Sequence, residues 1–183
     1  MISTGRVTRI VVVAIPVLML AFYAIFLTHK VNLVTADLGR HIKNGEVIFE
    51  SMRVLTHNYY SYTTPDFPTL NHHWASGLLF FGFWKYFGFG GVQLLFIAVS
   101  LATLWLFVKS VRSENNVGLI GLASIPAVFL LAQRTEIRPE AFSYFFIAIF
   151  FLVLLRFRDN PQNPKYIRLL YALPFLEVIW ANL

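Results

Sequence analysis

From Ile10 to Thr28 the chain runs about 19 residues without a charged side chain. At the helical rise, that run reaches across the ~30 Å hydrocarbon core of a bilayer. Inside hydrocarbon every backbone N–H and C=O must be paired within the chain, so a segment of this length and composition can cross only as a helix. Arg6 and Arg9 precede it in the manner of a signal peptide. The apolar stretch nevertheless exceeds roughly 15 residues and no small-x-small cleavage site follows, which reads as an uncleaved first span with Pro16 as a candidate kink. Further apolar runs cover Val92–Val108, Val117–Ala132 (interrupted by Pro126) and Ala141–Leu155, and a last run begins near Leu169 and is still apolar at Leu183. Trp74–Phe87 is shorter and carries two glycines and Lys85. It suits an interfacial or re-entrant helix, or else the buried start of the next span, and the break Gly88-Phe89-Gly90-Gly91 favours two segments. The expected fold is all-α: a polytopic transmembrane helical protein of about five membrane segments, with residues 1–183 as one transmembrane domain and 30–91 as a long outer loop carrying short interfacial helices.

Composition closes the soluble alternatives. Hydrophobic residues make up 57% of the chain and charged residues 13%, against roughly 25% charged in a soluble domain. The same apolar mass excludes disorder. With no cysteine there is no disulfide framework, thiolate metal site or cysteine nucleophile. The formal charge of +6 is a matter of membrane orientation, and no nucleic acid is expected as a partner. Arg6 and Arg9, Lys109 and Arg112, and Arg156, Arg158, Lys165 and Arg168 fall at alternate ends of successive runs, with Glu114 and Asp159 as the only acids among them. The positive-inside tendency places those ends and the N-terminus in the cytoplasm, in a multi-pass protein of the cell (plasma or inner) membrane, with 30–73 and 133–140 outside. The last run has no polar flank, so the chain is expected to be the N-terminal part of a longer protein.

Three clusters on the outer side carry chemistry. Thr35 through Glu46 reads as a short helix with Thr35 as N-cap and Gly45 as C′ residue, which places Asp37, Arg40 and His41 at i, i+3 and i+4 on one face. Asp37 then either accepts a proton from a hydroxyl or merely stabilises the first turn beside Arg40. In Asn71-His72-His73-Trp74, adjacent histidines cannot point the same way on a helix, and the spacing is not that of a zinc motif. Polar contacts to a substrate, or an interfacial position beside a belt tryptophan, fit better. The turn Arg134 to Glu140 holds Arg134 and Arg138 against the positive-inside tendency; guanidinium matches phosphate, whether of a substrate or of lipid headgroups, and Glu136 and Glu140 are the competing partners. Glu177, inside the last apolar run, is costly in lipid and marks either a pathway or a structural partner. Nucleotide-binding glycine loops, GxSxG and HExxH are missing.

The order of DLGRHIKNGEVI, YSYTTPDFPTLNHHWASGLLF, RPEAFSYFF and WANL resembles the GT-C class of integral-membrane glycosyltransferases, in particular bacterial families similar to protein O-mannosyltransferases and aminoarabinose transferases. The resemblance covers most of the chain. It implies Asp37 as the catalytic base, with Arg40, His41, His72, His73, Arg134, Arg138 and Glu140 as substrate-binding residues and Arg138 near the donor phosphate. It further implies a polyprenyl-phosphate sugar donor and a glycan, lipid or protein acceptor on the outer face, among membrane lipids. It names no certain cofactor and leaves a divalent cation open, with no metal ligand assigned. The chain departs from the family pattern at His73, where an acid is expected in N-H-E-W, and at Asn58, where an acid is expected before the S-Y-T string. Both changes remove negative charge.

Overall fold

In a computed structural model, residues 4–28, 31, 37–110, 126, 128–133 and 135–183 are described. They are helical, with no strand among them. The helices are α1 (Thr4–Leu27), α2 (Leu38–Ser51), α3 (Trp74–Ser110), α4 (Glu140–Asp159) and α5 (Pro164–Trp180). A short helical run also covers 128–132. Two helices, α3 and α4, are long and apolar enough to cross a membrane. The third expected span falls mostly on 117–125 and 127, outside the described residues.

The sheath of the bundle is apolar. Leu18, Ile25, Leu94, Phe175 and Val178 are each 65–75% exposed, a surface that is costly in water and ordinary in lipid. Inside, Leu27, Phe80 and Val92 are fully buried and belong to one cluster with Phe96, Val128 and Phe142. Two hydroxyls of the second half of α3 are satisfied along their own helix: Thr103 Oγ1 donates to the Val99 carbonyl at 2.8 Å and Ser110 Oγ to Leu106 at 2.9 Å.

Helix directions follow from the contacts. Gln93 Nε2 donates to the Leu27 carbonyl at the end of α1, at 3.2 Å, so α1 meets the second half of α3 end to start. Phe107 lies 6.3 Å from Phe151, and Arg156 donates to the Lys109 carbonyl at 2.6 Å, so the far ends of α3 and α4 lie together. Lys109 and Arg156 thus share one end of the bundle. Asn163 caps α5 through Lys165 N–H, with Pro164 at its first turn. The helix then runs back along α4, where Trp180 stacks on Phe146 at 6.0 Å and 4°.

One expectation is corrected and another is met. Gly45 does not end a helix, because α2 continues to Ser51. A Cβ built on Gly45 would enter the Gly77 carbonyl of α3, and one on Gly77 would come within 2.9 Å of the His41 carbonyl. Two glycines face to face therefore let the two backbones touch. Trp74–Phe87 is, as the glycine-rich break suggests, a helical segment distinct from the one that follows. It leads into Phe89–Ser110 through one non-helical residue, Gly88, at φ 63° and ψ −161°. Those angles are essentially restricted to glycine, so the break sits where the glycine-rich stretch puts it.

Between α2 and α3 the chain makes a hairpin-like excursion without helix. Thr69 N–H donates to the Thr56 carbonyl at 2.9 Å and Asn58 N–H to Phe67 at 3.0 Å, around a bridge of His57 with Pro68. Asn58 Oδ1 accepts from the N–H groups of Tyr60 and Ser61 and shapes the turn.

Candidate functional site

Where α2, the excursion, the start of α3 and the start of α4 meet, they enclose a cleft of about 310 Å³. Asp37, Arg40, His41, His72, His73, Arg138 and Glu140 all line it. These are the residues singled out by sequence, apart from Arg134, which lies outside the described residues. Three stretches separated by tens of residues thus supply one concave surface.

Asp37 stands at the N-cap of α2 in the left-handed region, φ 52° and ψ 17°, and makes no side-chain capping bond. Asp tolerates this region better than most residues. Its backbone carbonyl takes the His41 N–H at 3.0 Å, while its carboxylate accepts from Arg40 at 3.1 Å. Both side chains are half-exposed or more, 66% for Asp37 and 50% for Arg40. An ion pair so exposed contributes only ~0–1 kcal/mol. Within the purely structural role open to Asp37, the Arg40 pairing is present and the side-chain capping bond is not. Thr35, the expected cap, lies outside the described residues.

His41 is turned inward. It is 7% exposed, with its ring 6.3 Å from Phe80 and 6.3 Å from His73. Asp37, Arg40 and His41 therefore do not share one exposed face as their spacing suggested. Burial first, and then the positive charge of Arg40 and the neighbouring His73, push the His41 pKa down to about 4. The imidazole is neutral at pH 7 and can serve as a hydrogen-bonding group without adding charge.

His72 and His73 end the excursion with their rings 4.1 Å apart. Arg138 and Glu140 lie at the entry to α4. Arg138 pairs with Glu136 at 2.8 Å, and Glu140 occupies the first turn of α4, where a carboxylate interacts favourably with the helix dipole. Of the two acids competing for Arg138, Glu136 is thus the one paired. Two walls of the cleft, α2 and the entry to α4, each carry a guanidinium and a carboxylate, and α2 adds the neutral His41.

Several lining residues escaped sequence reasoning. Asn44, on the inner face of α2, accepts the Tyr60 hydroxyl at 2.5 Å, which pins the excursion back onto the helix. Burial and its desolvation raise the Tyr60 pKa, so that phenol stays protonated and donates. Asn58 and Asn71 add amides to the wall. The only advance signal was the aromatic string around Asn58, which gave no indication of its partner.

Among the described residues, no three His, Cys, Asp or Glu side chains are arranged to hold a metal. Carboxylates tied to arginines and a buried imidazole are a poor donor set for a divalent cation, which is bound through several free oxygens. Glu177 does not line this cleft and lies on an exposed face of α5 beside Val178. Comparison with family models, with curated proteins and with solved structures finds no significant match in any of the three.

Proposed function

We propose that this chain carries the catalytic cleft of a membrane glycosyltransferase of the GT-C kind, which moves a sugar from a polyprenyl-phosphate donor to a glycan, lipid or protein acceptor at the outer face. The protein is then a multi-pass protein of the cell membrane with a cytoplasmic N-terminus. One observation carries the reading: the acid, arginine and histidine positions of three separate motif-like stretches line a single cleft at one end of an apolar bundle. A lipid-linked substrate enters sideways from the bilayer, so a polar cleft at a bundle end is where its head group is reached.

In this reading the acceptor hydroxyl loses its proton to the Asp37 carboxylate as its oxygen attacks the anomeric carbon. The bond from that carbon to the phosphate oxygen breaks with inversion, and the phosphate leaves with the electron pair. Arg138 neutralises the charge growing on that phosphate, as guanidinium groups do where phosphoryl oxygens leave. Arg40 holds Asp37 in place through their ion pair at 3.1 Å. No step requires a metal.

The test uses the full chain in proteoliposomes with a polyprenyl-phosphate-linked hexose, following release of free polyprenyl phosphate. Wild-type protein is expected to release it, and Arg138→Gln to slow release by about a hundredfold, as loss of one charge-stabilising donor does. No release with any sugar of this donor class, or an unchanged rate in Arg138→Gln, would contradict the reading.

A further inference from the structure

His73 immediately precedes α3, and its Nδ1 lies 3.1 Å from the carbonyl oxygen of Leu183. That main-chain oxygen carries no proton, whether in a peptide carbonyl or an ionised carboxylate, and can only accept, so a hydrogen bond here requires the proton on Nδ1. In a neutral imidazole, Nε2 is then the unprotonated nitrogen and can act only as an acceptor.

The oxygen that imposes this is firmly held. It also accepts the Ser76 hydroxyl. Next to it, Asn182 is fixed from three directions. Its backbone carbonyl accepts Ala75 N–H at 3.0 Å, its Oδ1 accepts Trp74 Nε1–H at 2.7 Å, and its Nδ2 donates to the Val178 carbonyl at 2.8 Å. Each end of the amide meets a partner of the right polarity, which determines its orientation. Trp180 anchors the segment to α4 by donating Nε1–H to Ser143 Oγ at 3.0 Å. Residues 180–183 thus grip the first turn of α3, where backbone N–H groups have no partner within the helix.

The charged groups of the cleft do not supply what this ring supplies. Arg40 and Arg138 only donate, and Asp37 and Glu140 accept as charged groups. Among the described residues no protein group bonds His73 Nε2. We infer that residues 180–183 lock His73 as the Nδ1–H tautomer, so that Nε2 is a neutral hydrogen-bond acceptor in the cleft for a ligand hydroxyl such as that of a sugar ring. Asn182 and Trp74 are positioning residues for this group. The tautomer stands on geometry alone, whereas the sugar hydroxyl rests on the transfer reading.

The full chain in lipid nanodiscs, with 15N-labelled histidine, tests both parts by two-bond proton–nitrogen correlation at a pH where His73 is neutral. His73→Gln assigns the signals. Wild-type His73 is expected to show a protonated Nδ1 and a bare Nε2, and Asn182→Ala to convert it to a mixture or to the opposite tautomer. Trp74→Phe keeps an aromatic ring while removing the indole N–H and is the milder variant should Asn182→Ala fail to fold. An Nε2–H tautomer in the wild type, or a tautomer unmoved by both substitutions, would overturn the lock. For the ligand, His73→Leu is expected to raise the donor KM about tenfold with kcat little changed, and His73→Gln, which offers Oε1 near the Nε2 position, to recover most of it. Equal KM values in the three proteins would overturn the hydroxyl contact. Absence of transfer with the tautomer in place would count against the transfer reading and leave the lock standing.

Discussion

The two halves of α3, on either side of Gly88, are built from much the same residues and behave differently. Trp74–Phe87 lies against α2, with Gly77 touching Gly45 and Phe81 5.6 Å from Phe49, and it brings His72 and His73 to the cleft. Phe89–Ser110 packs against α1 and α4 and presents residues such as Leu94 outward. The first half depends on backbone contact between small residues, as helices do when apolar surface alone gives no drive to associate. The second half is held by side-chain packing. Both halves hold a position where a single methyl group has no room, and they differ in what it would meet: at Gly77 the backbone of α2, and at Gly91 the Phe87 side chain and Phe83 carbonyl across the kink.

Glycine substitutions are the sharpest way to break this comparison. Gly45→Ala forces a methyl group into the Gly77 carbonyl, where neither backbone can yield. It is expected to cost ~3 kcal/mol or more, seen as a lowered Tm in nanodiscs and disruption of the cleft. An unchanged Tm would refute the contact. The pH dependence of the same half comes next. The His41 pKa is about 4 in the fold and 6.5 when free. Between those values the unfolded chain binds a proton that the fold excludes, so the contribution is complete above pH 6.5 and lost as pH falls toward 4. The loss is on the order of 3 kcal/mol. His41→Gln should flatten this acid limb in thermal unfolding measured from pH 7 to 4. Gly88→Ala, strained by its positive φ, is expected to cost ~1–3 kcal/mol or to straighten α3. Engineered spin labels either side of residue 88 would register the straightening, and the cysteine-free chain makes them simple to place. Gly82→Ala is the smallest and opposite case. A Cβ there meets nothing within 4 Å, and the helix gains up to ~1 kcal/mol. A loss of stability would show that the first half is crowded throughout and not only at Gly77.

These contrasts also mark how far the sequence could be read. The helices of the apolar runs were legible because a membrane leaves so few ways to pair a backbone, and the break at Gly88 was legible because four residues contained three glycines. Gly45 was misread because glycine serves two purposes, ending a helix or admitting a neighbour, and only the neighbouring helix decides between them. Asp37, Arg40, His72, His73, Arg138 and Glu140, picked for their chemistry, all line one cleft, but the inward turn of His41 depended on Phe80 packing beside it. The Tyr60–Asn44 bond and the Trp74–Asn182 bond join positions 16 and 108 residues apart. No local pattern encodes such pairs, and they hold much of the cleft together.

The central claim is that chemistry resides at this cleft and not along the bundle. Sugar transfer by the full chain in proteoliposomes, measured for Asp37→Asn beside Glu177→Gln, tests it most directly. Asp37→Asn is expected to abolish transfer with normal membrane insertion, while Glu177→Gln, altered on an exposed face of α5, leaves the rate within about twofold of wild type. Full activity in Asp37→Asn, or a loss confined to Glu177→Gln, would contradict the account and direct attention to a path through the helices.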